Sequence, residues 1–153
     1  MKRLLLLCTL LISFTSFADE LSDAEDAYVR GDYTTAITSF KKLAEQGYAG
    51  AQNNLGAMYQ NGFGTPQDYK AAIKLYTKSA EQGDATAQFN LGVMYGKGEG
   101  TPQDYVMAHM LWNIAAANGN EDAKEVRDIV AKEMTSEKIL EAQQLAKEWM
   151  KKY

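Results

Sequence analysis

One stretch of sequence decides the fold, and it occurs twice: as AGAQNNLGAMYQNGFGTPQDYKAAIKLYTKSAEQGD at residues 49–84 and as ATAQFNLGVMYGKGEGTPQDYVMAHMLWNIAAANGN at residues 85–120. The two copies align without a gap and are identical at 19 of 36 positions, where composition alone would give roughly two. A fixed period of about 20–50 residues is typical of folds built by stacking repeats. Such folds present extended surfaces, so we expect function to reside on a surface rather than in a buried catalytic pocket.

Each copy has the apolar spacing of two helices separated by a turn. In the first copy, apolar residues form one helical stripe over residues 51–59 and a second over residues 69–80. The segment between them, residues 61–68, holds two glycines and a proline that interrupt a helix, and Asp68 is well placed to cap the next one. Gly83 stands where the second helix must end. The unit therefore predicts an antiparallel helical hairpin of about 36 residues.

The period continues on both sides of the two clear copies. Asp32 and Tyr33 lie 36 residues before Asp68 and Tyr69, so residues 20–47 predict an earlier hairpin with its turn shortened to Gly31-Asp32. After residue 121 the periodicity decays, and a helix is expected from about residue 136 to residue 150, capped by Thr135 or Ser136. Its expected apolar stripe consists of Ile139, Leu140, Ala142, Leu145, Ala146 and Trp149.

These patterns predict an all-α fold: an α/α superhelix, or solenoid, of about four antiparallel helical hairpins and eight helices. The expected units are residues 20–48, 49–84 and 85–120, with a C-terminal cap at residues 121–153. Gly56 and Gly92 sit inside helices, where each costs about 1 kcal/mol relative to alanine. We therefore expect the backbone of a partner helix to approach closely at both glycines.

The N-terminus has the layout of a secretory signal peptide. Lys2 and Arg3 precede an uncharged run over residues 4–14, and Ser16-Phe17-Ala18 places small residues at the −3 and −1 positions of a cleavage site. The apolar run is shorter than the roughly 20 residues that a membrane-spanning helix needs. The sequence predicts a signal peptide at residues 1–18, a mature domain at residues 19–153 and a periplasmic or secreted location. An uncleaved anchor and a buried N-terminal helix are the alternatives.

Cleavage would leave a chain with no cysteine and no integral membrane segment, because Cys8 and the apolar run would leave with the signal. The formal net charge would fall from −4 to −6 as Lys2 and Arg3 are lost. Such an acidic chain argues against a nucleic-acid partner or an anionic membrane surface. It permits a protein or peptide partner, which can be basic.

The string A-Q-x-x-L-G-x-M-Y-x-x-G-x-G-x-P-Q-D-Y-x-x-A, present from residue 51 and again from residue 87, resembles the Sel1-like repeat, a relative of the tetratricopeptide repeat. Residues 24–44 look more like an ordinary tetratricopeptide unit, and residues 134–149 are similar to a C-terminal cap found in bacterial Sel1-like proteins. The resemblance implies an exported adaptor or binding scaffold that contacts other proteins. No catalytic residue accompanies the motif.

In tetratricopeptide relatives the first helix of each hairpin lines the concave face, so that resemblance implies a binding face here. Differences between the two copies at such positions leave packing intact and can encode specificity. Phe89 is the strongest candidate, because its counterpart is Asn53 and aromatic residues are enriched in binding hot spots. Plain surface variation is the alternative. The candidate positions are Asn53, Ala57, Gln60 and Asn61 in one copy and Phe89, Val93, Gly96 and Lys97 in the next.

Candidate catalytic and metal-binding motifs each have a simpler structural explanation. His109 is the only histidine and aligns with Ile73, and a lone histidine cannot form a metal site. Ser39 and Lys42 match S-x-x-K, but no S-D-N or K-T-G follows. The glycine-rich segment at residues 96–100 is a turn rather than a phosphate loop, because no strand is predicted before it. We therefore predict no catalytic residue, no metal and no cofactor.

Two other functions stay open at this stage. A cysteine-rich branch of the Sel1-like family is associated with β-lactam compounds, which suggests a weak hydrolase or binder of cell-wall or β-lactam compounds. That branch pairs cysteines within each repeat, and this chain has none in either repeat. The end helices could instead pack on a second copy of the chain to form a dimer or a short array, and the sequence does not decide the oligomeric state.

Overall fold

A computed structural model describes residues 18–153. Almost all of the predicted signal peptide lies outside the described residues, so it stays a prediction. Within the described range the chain forms eight α-helices and no strand, as the all-α expectation required. The helices are α1 (18–29), α2 (Tyr33–Glu45), α3 (Ala49–Asn61), α4 (Tyr69–Ala80), α5 (Ala85–Lys97), α6 (Tyr105–Ala117), α7 (Glu121–Val130) and α8 (Ser136–Lys152), with a short 3₁₀ turn at Ala131–Glu133 before α8.

The helices stack as a continuous series of hairpins. Helix α3 packs against α4, and α5 packs against α6, within each Sel1-like unit. The second helix of each hairpin also packs against the first helix of the next, so that α2 contacts α3, α4 contacts α5 and α6 contacts α7. Each unit thus covers an apolar face that its neighbour would otherwise expose, which is how solenoid folds are stabilised.

The helix ends follow the sequence signals. The side chains of Asp32, Asp68 and Asp104 each accept a hydrogen bond from the backbone N–H three residues later, at 3.1, 2.9 and 3.0 Å. Thr135 caps α8 in the same way. Gly83 has φ +90°, a left-handed conformation that glycine adopts without the steric cost other residues incur. The caps predicted at Asp68 and Thr135 and the helix end predicted at Gly83 are therefore confirmed.

Gly56 and Gly92 are required inside their helices for a different reason from the one expected. A Cβ placed on Gly56 would lie 2.9 Å from the ring of Tyr76, and one on Gly92 would lie 2.6 Å from the indole Nε1 of Trp112. The expected approach of a partner backbone is thus wrong, because an aromatic side chain of the hairpin's second helix takes the space. The larger indole requires a second small residue, Gly96, whose added Cβ would lie 3.1 Å from Trp112.

Helix α8 packs chiefly on α6 rather than on α7. Ala142 and Ala146 of the predicted stripe are fully buried, but Leu140 is 68% exposed and does not belong to it. The reason is angular: successive residues of an α-helix are about 100° apart, so Leu140 lies roughly 200° around the helix from Ala142.

Candidate functional site

The predicted binding residues lie on α3 and α5, two neighbouring helices of the first-helix face, which we define as the face formed by α1, α3, α5 and α7. Asn53 is only 9% exposed, and its amide oxygen accepts a hydrogen bond of 3.0 Å from the side chain of Asn90. One unit earlier, the repeat counterpart of Asn90 is Asn54, and it donates to a carboxylate oxygen of Glu25 at 3.1 Å. These bonds join α5 to α3 and α3 to α1. Asn53 therefore holds two helices together and offers a partner little free polar surface.

Phe89 and Val93 are half-buried. Both pack against the apolar cluster that contains Trp112, Ala123 and Val130. The indole N–H of Trp112 also donates to the backbone carbonyl of Phe89 at 3.2 Å. Part of Phe89 thus contributes to the junction between α5, α6 and α7, and only the remainder is available to a partner.

Gln60 and Lys97 both contact Glu99, a residue that was not predicted from the sequence. The Tyr76 hydroxyl donates to the Gln60 amide oxygen at 2.8 Å, and the Gln60 amide nitrogen donates to Glu99 at 3.1 Å. The other carboxylate oxygen of Glu99 lies 3.8 Å from the exposed Lys97 ammonium. Burial raises the pKa of Tyr76, so its hydroxyl remains a donor at neutral pH. This chain of polar contacts links α3, α4 and the turn after α5.

Ala57 and Asn61 lie on the same helix, and Asn61 donates to the backbone carbonyl of Ala57 at 2.8 Å. Ala57 also borders a cleft of 330 Å³ between α1 and α3. Val29, at the end of α1, is 82% exposed and forms part of the same lining. Ala57 is the one lining residue predicted from sequence. The full lining is Glu25, Tyr28, Val29, Phe40, Asn54 and Ala57.

Sequence comparison of the two Sel1-like copies could not find this cleft, because it lies between the first hairpin and the second. Three of its lining residues, Glu25, Tyr28 and Val29, belong to α1, which lies outside the alignment of residues 49–84 with residues 85–120. One sequence feature could have indicated the cleft: an apolar residue, Val29, stands directly before the Arg30-Gly31-Asp32 turn, where polar residues are more common.

His109 occupies a packing position, at 3% exposure. Among the described residues nothing hydrogen-bonds its Nδ1 atom. Burial lowers the pKa of His109, and the nearby Arg127 guanidinium lowers it further. The side chain is therefore neutral at physiological pH. Residues 18–153 contain no group of three or more histidine, cysteine, aspartate or glutamate side chains that could hold a metal ion.

No helix within residues 18–153 has both the length and the apolar character needed to cross a membrane.

The family model of the Sel1 repeat matches residues 49–84 and 85–120. Among curated proteins, DAP3-binding cell death enhancer 1 of Rattus norvegicus and of Mus musculus are each 49% identical over 37 residues, which is 24% of this chain and 7% of those proteins. The chain therefore spans a small fraction of the curated relatives that it matches.

Two solved structures are similar over most of the described helices. One is c5321, a protective antigen present in uropathogenic Escherichia coli strains that displays an SLR fold, with a TM-score of 0.86 at 30% identity. The match covers 90% of this chain and 30% of that one. The other is a Sel1 repeat protein from Oxalobacter formigenes, with a TM-score of 0.70 at 29% identity, covering 86% of this chain and 54% of that one.

Proposed function

Because the chain contains two tandem Sel1 repeats, at residues 49–84 and 85–120, we propose that it is an exported adaptor that binds a protein or peptide along its first-helix face. Sel1 repeats generally serve as scaffolds for protein–protein interaction, and the fold is typically non-enzymatic. The partner would be an extended peptide or a single helix, since both fit a shallow surface between parallel elements.

The cleft between α1 and α3 is the observation that carries this proposal. Its volume of 330 Å³ accommodates one or two apolar side chains, and Tyr28, Phe40 and Ala57 give it apolar walls. Val29 leaves most of its side chain in water, at 82% exposure. A partner residue seated in the cleft would cover Val29 and remove apolar surface from water, which is favourable by about 25 cal/mol per Å².

Polar groups next to the cleft can set the direction of the bound chain. Glu25 is exposed and lines the cleft, and Asn54 donates to it. At the end of α5, the exposed Lys97 forms an ion pair with the half-buried Glu99 of the following turn. A partner with an apolar anchor and a basic residue beside it would pair with Glu25, in keeping with the acidic character of the chain.

The test introduces an aspartate at each of two exposed apolar residues, in two separate variants. Val29→Asp places a charge at the cleft, whereas Leu140→Asp makes the same change on α8, where Leu140 is 68% exposed and outside the apolar stripe. Crosslinking in the cell, followed by mass spectrometry, should show partners captured by the wild type and by Leu140→Asp that are lost with Val29→Asp. The Phe89→Ala, Lys97→Glu double variant extends the test to α5. Equal capture by all variants, with helical content intact, would rule out this face.

Export is tested separately. The intact mass of the protein recovered from the cell envelope should correspond to cleavage after Ala18. Recovery of a chain that retains residues 1–18 would contradict the signal-peptide part of the proposal and leave the binding face unaffected.

A further inference from the structure

The second helices of the hairpins form two grooves that are equivalent by the 36-residue repeat, and one of them is filled by the chain's own α8. We define the α2–α4 groove as the open cleft of 320 Å³ lined by α2, α3 and α4. The α4–α6 groove is the surface formed by the residues 36 positions later, on α4, α5 and α6. The two grooves share their apolar base, because Leu55 and Tyr59 in the first correspond to Leu91 and Tyr95 in the second.

The α4–α6 groove shows what this surface can hold. Met110 and Ile114 of α6 are 3% and 1% exposed, and they belong to the same apolar cluster as Ala142 and Ala146 of α8. At its far end α8 reaches across to α4, where the Tyr153 hydroxyl donates to a carboxylate oxygen of Glu81 at 2.7 Å. An amphipathic helix therefore lies over this groove. Ala142 and Ala146 are buried in the contact, and Leu145 and Trp149 pack beside them.

In the α2–α4 groove the corresponding wall is basic. Lys74 and Lys78 stand where Met110 and Ile114 stand one repeat later, and Lys41 faces them from α2. All three lysines are exposed, and none has an ion-pair partner among residues 18–153. The Lys41 ammonium lies 6.0 Å from the centre of the Tyr59 ring. Glu45 is the single acidic residue in the lining, so the groove carries net positive charge on a chain whose net charge is −4.

The lysines change which helix the groove can accept. A helix that presents only apolar side chains to the groove, as α8 does to α6, would cover the ammonium groups and leave them without partners, which is costly. A helix with carboxylates beside its apolar stripe would pair with the ammonium groups, while the aliphatic stems of the lysines pack against the stripe. The repeat thus supplies the shape of the site, and the lysines supply the charge that the occupant must have.

We propose that the α2–α4 groove docks an amphipathic helix of a partner protein whose apolar stripe is flanked by aspartate or glutamate. This site is distinct from the first-helix face, because its lining comes chiefly from the second helices. A chain using both surfaces would hold two partners at once, which is the task of an adaptor.

The test uses peptides built on α8, because α8 is the helix that fits the equivalent groove. The acidic peptide is the sequence of residues 136–153 with K138E, K147E, K151E and K152E; the basic peptide has E137K, E141K and E148K; the third has the native sequence. Each is labelled and titrated with protein purified after expression of the full-length sequence, and fluorescence anisotropy is measured at low and high salt. We expect the acidic peptide to bind at least about tenfold more tightly than the other two, with affinity that falls as salt rises.

Protein variants locate the binding. The double variant Lys74→Glu, Lys78→Glu should weaken binding of the acidic peptide by at least about tenfold. The double variant Lys124→Glu, Lys132→Glu makes the same change in charge at exposed positions of the C-terminal cap and should have no effect. The variant Lys74→Met, Lys78→Ile copies α6 and should switch preference to the native peptide. Equal binding of acidic and basic peptides, or no binding of the acidic one, would overturn the proposal. Tight binding of the native peptide to the wild type would instead identify a second copy's α8 as the occupant and also overturn it.

Discussion

Gly92→Ala is the substitution whose effect the structure predicts most directly. The glycine lies in the middle of α5, where alanine is intrinsically favoured by about 1 kcal/mol. The added Cβ would, however, lie 2.6 Å from Nε1 and 2.8 Å from Cδ1 of the Trp112 indole. Trp112 is a rigid ring at 4% exposure whose N–H is held by the carbonyl of Phe89, so it has little room to move.

The magnitude follows from these two opposing terms. Overpacking a well-packed core typically costs about 1–3 kcal/mol, and contact with a buried indole belongs at the upper end of that range. Subtracting about 1 kcal/mol of helix propensity leaves a net destabilisation of about 1–2 kcal/mol, or roughly 4–8 °C in Tm for a domain of this size. Gly50→Ala is the matched control, because its Cβ would meet Leu21 at an ordinary 3.6 Å. That change should be neutral or stabilising by up to about 1 kcal/mol.

The assay is urea unfolding followed by circular dichroism, applied to both variants and to Gly92→Ala in a Trp112→Ala background. Without the indole the clash is gone, so alanine at position 92 should become stabilising relative to glycine by up to about 1 kcal/mol. The reasoning would be refuted if Gly92→Ala unfolded like Gly50→Ala, or if its cost were unchanged when Trp112 is removed.

Two further predictions concern charge and capping. Burial lowers the pKa of His109 in the folded chain below the ordinary histidine value of 6.5. Above pH 6.5 the neutral side chain contributes its full stabilisation. As pH falls below 6.5 towards the folded-state pKa, this stabilisation is lost, because the unfolded chain binds a proton more readily at this histidine. His109→Ile should flatten the dependence of unfolding free energy on pH between 7.5 and 5, and an unchanged slope would show that another group is responsible. Asp104→Ala removes the acceptor for the backbone N–H groups of Val106 and Met107 and should cost about 1 kcal/mol, measured by urea unfolding; Asp104→Asn should retain most of that stability, and equal losses for the two would contradict a capping role.

The binding surfaces were less predictable than the fold. The comparison of repeat copies marked Asn53 and Phe89 as variable positions, but it could not show that Asn53 bonds to Asn90 or that Phe89 packs against the cluster around Trp112. Those contacts join residues about 23–37 positions apart in the sequence, and their geometry depends on how neighbouring hairpins are rotated. The α2–α4 groove could not be predicted for the same reason, because Lys41 and Lys74 line one groove only after the hairpins have stacked.

The sequence by itself determined the helices, their caps and their order. A 36-residue period, apolar stripes at helical spacing and an aspartate before each second helix are local signals, because helical hydrogen bonds and caps involve residues only three or four positions apart. The tertiary structure decided which side chain fills the space at Gly56 and Gly92, and that α8 turns back onto α6 and leaves Leu140 in water. It also decided that one of two equivalent grooves is covered while the other stays open and basic. Such outcomes depend on the packing of helices far apart in the chain, because side chains from several units must fill the same space and balance their charges together.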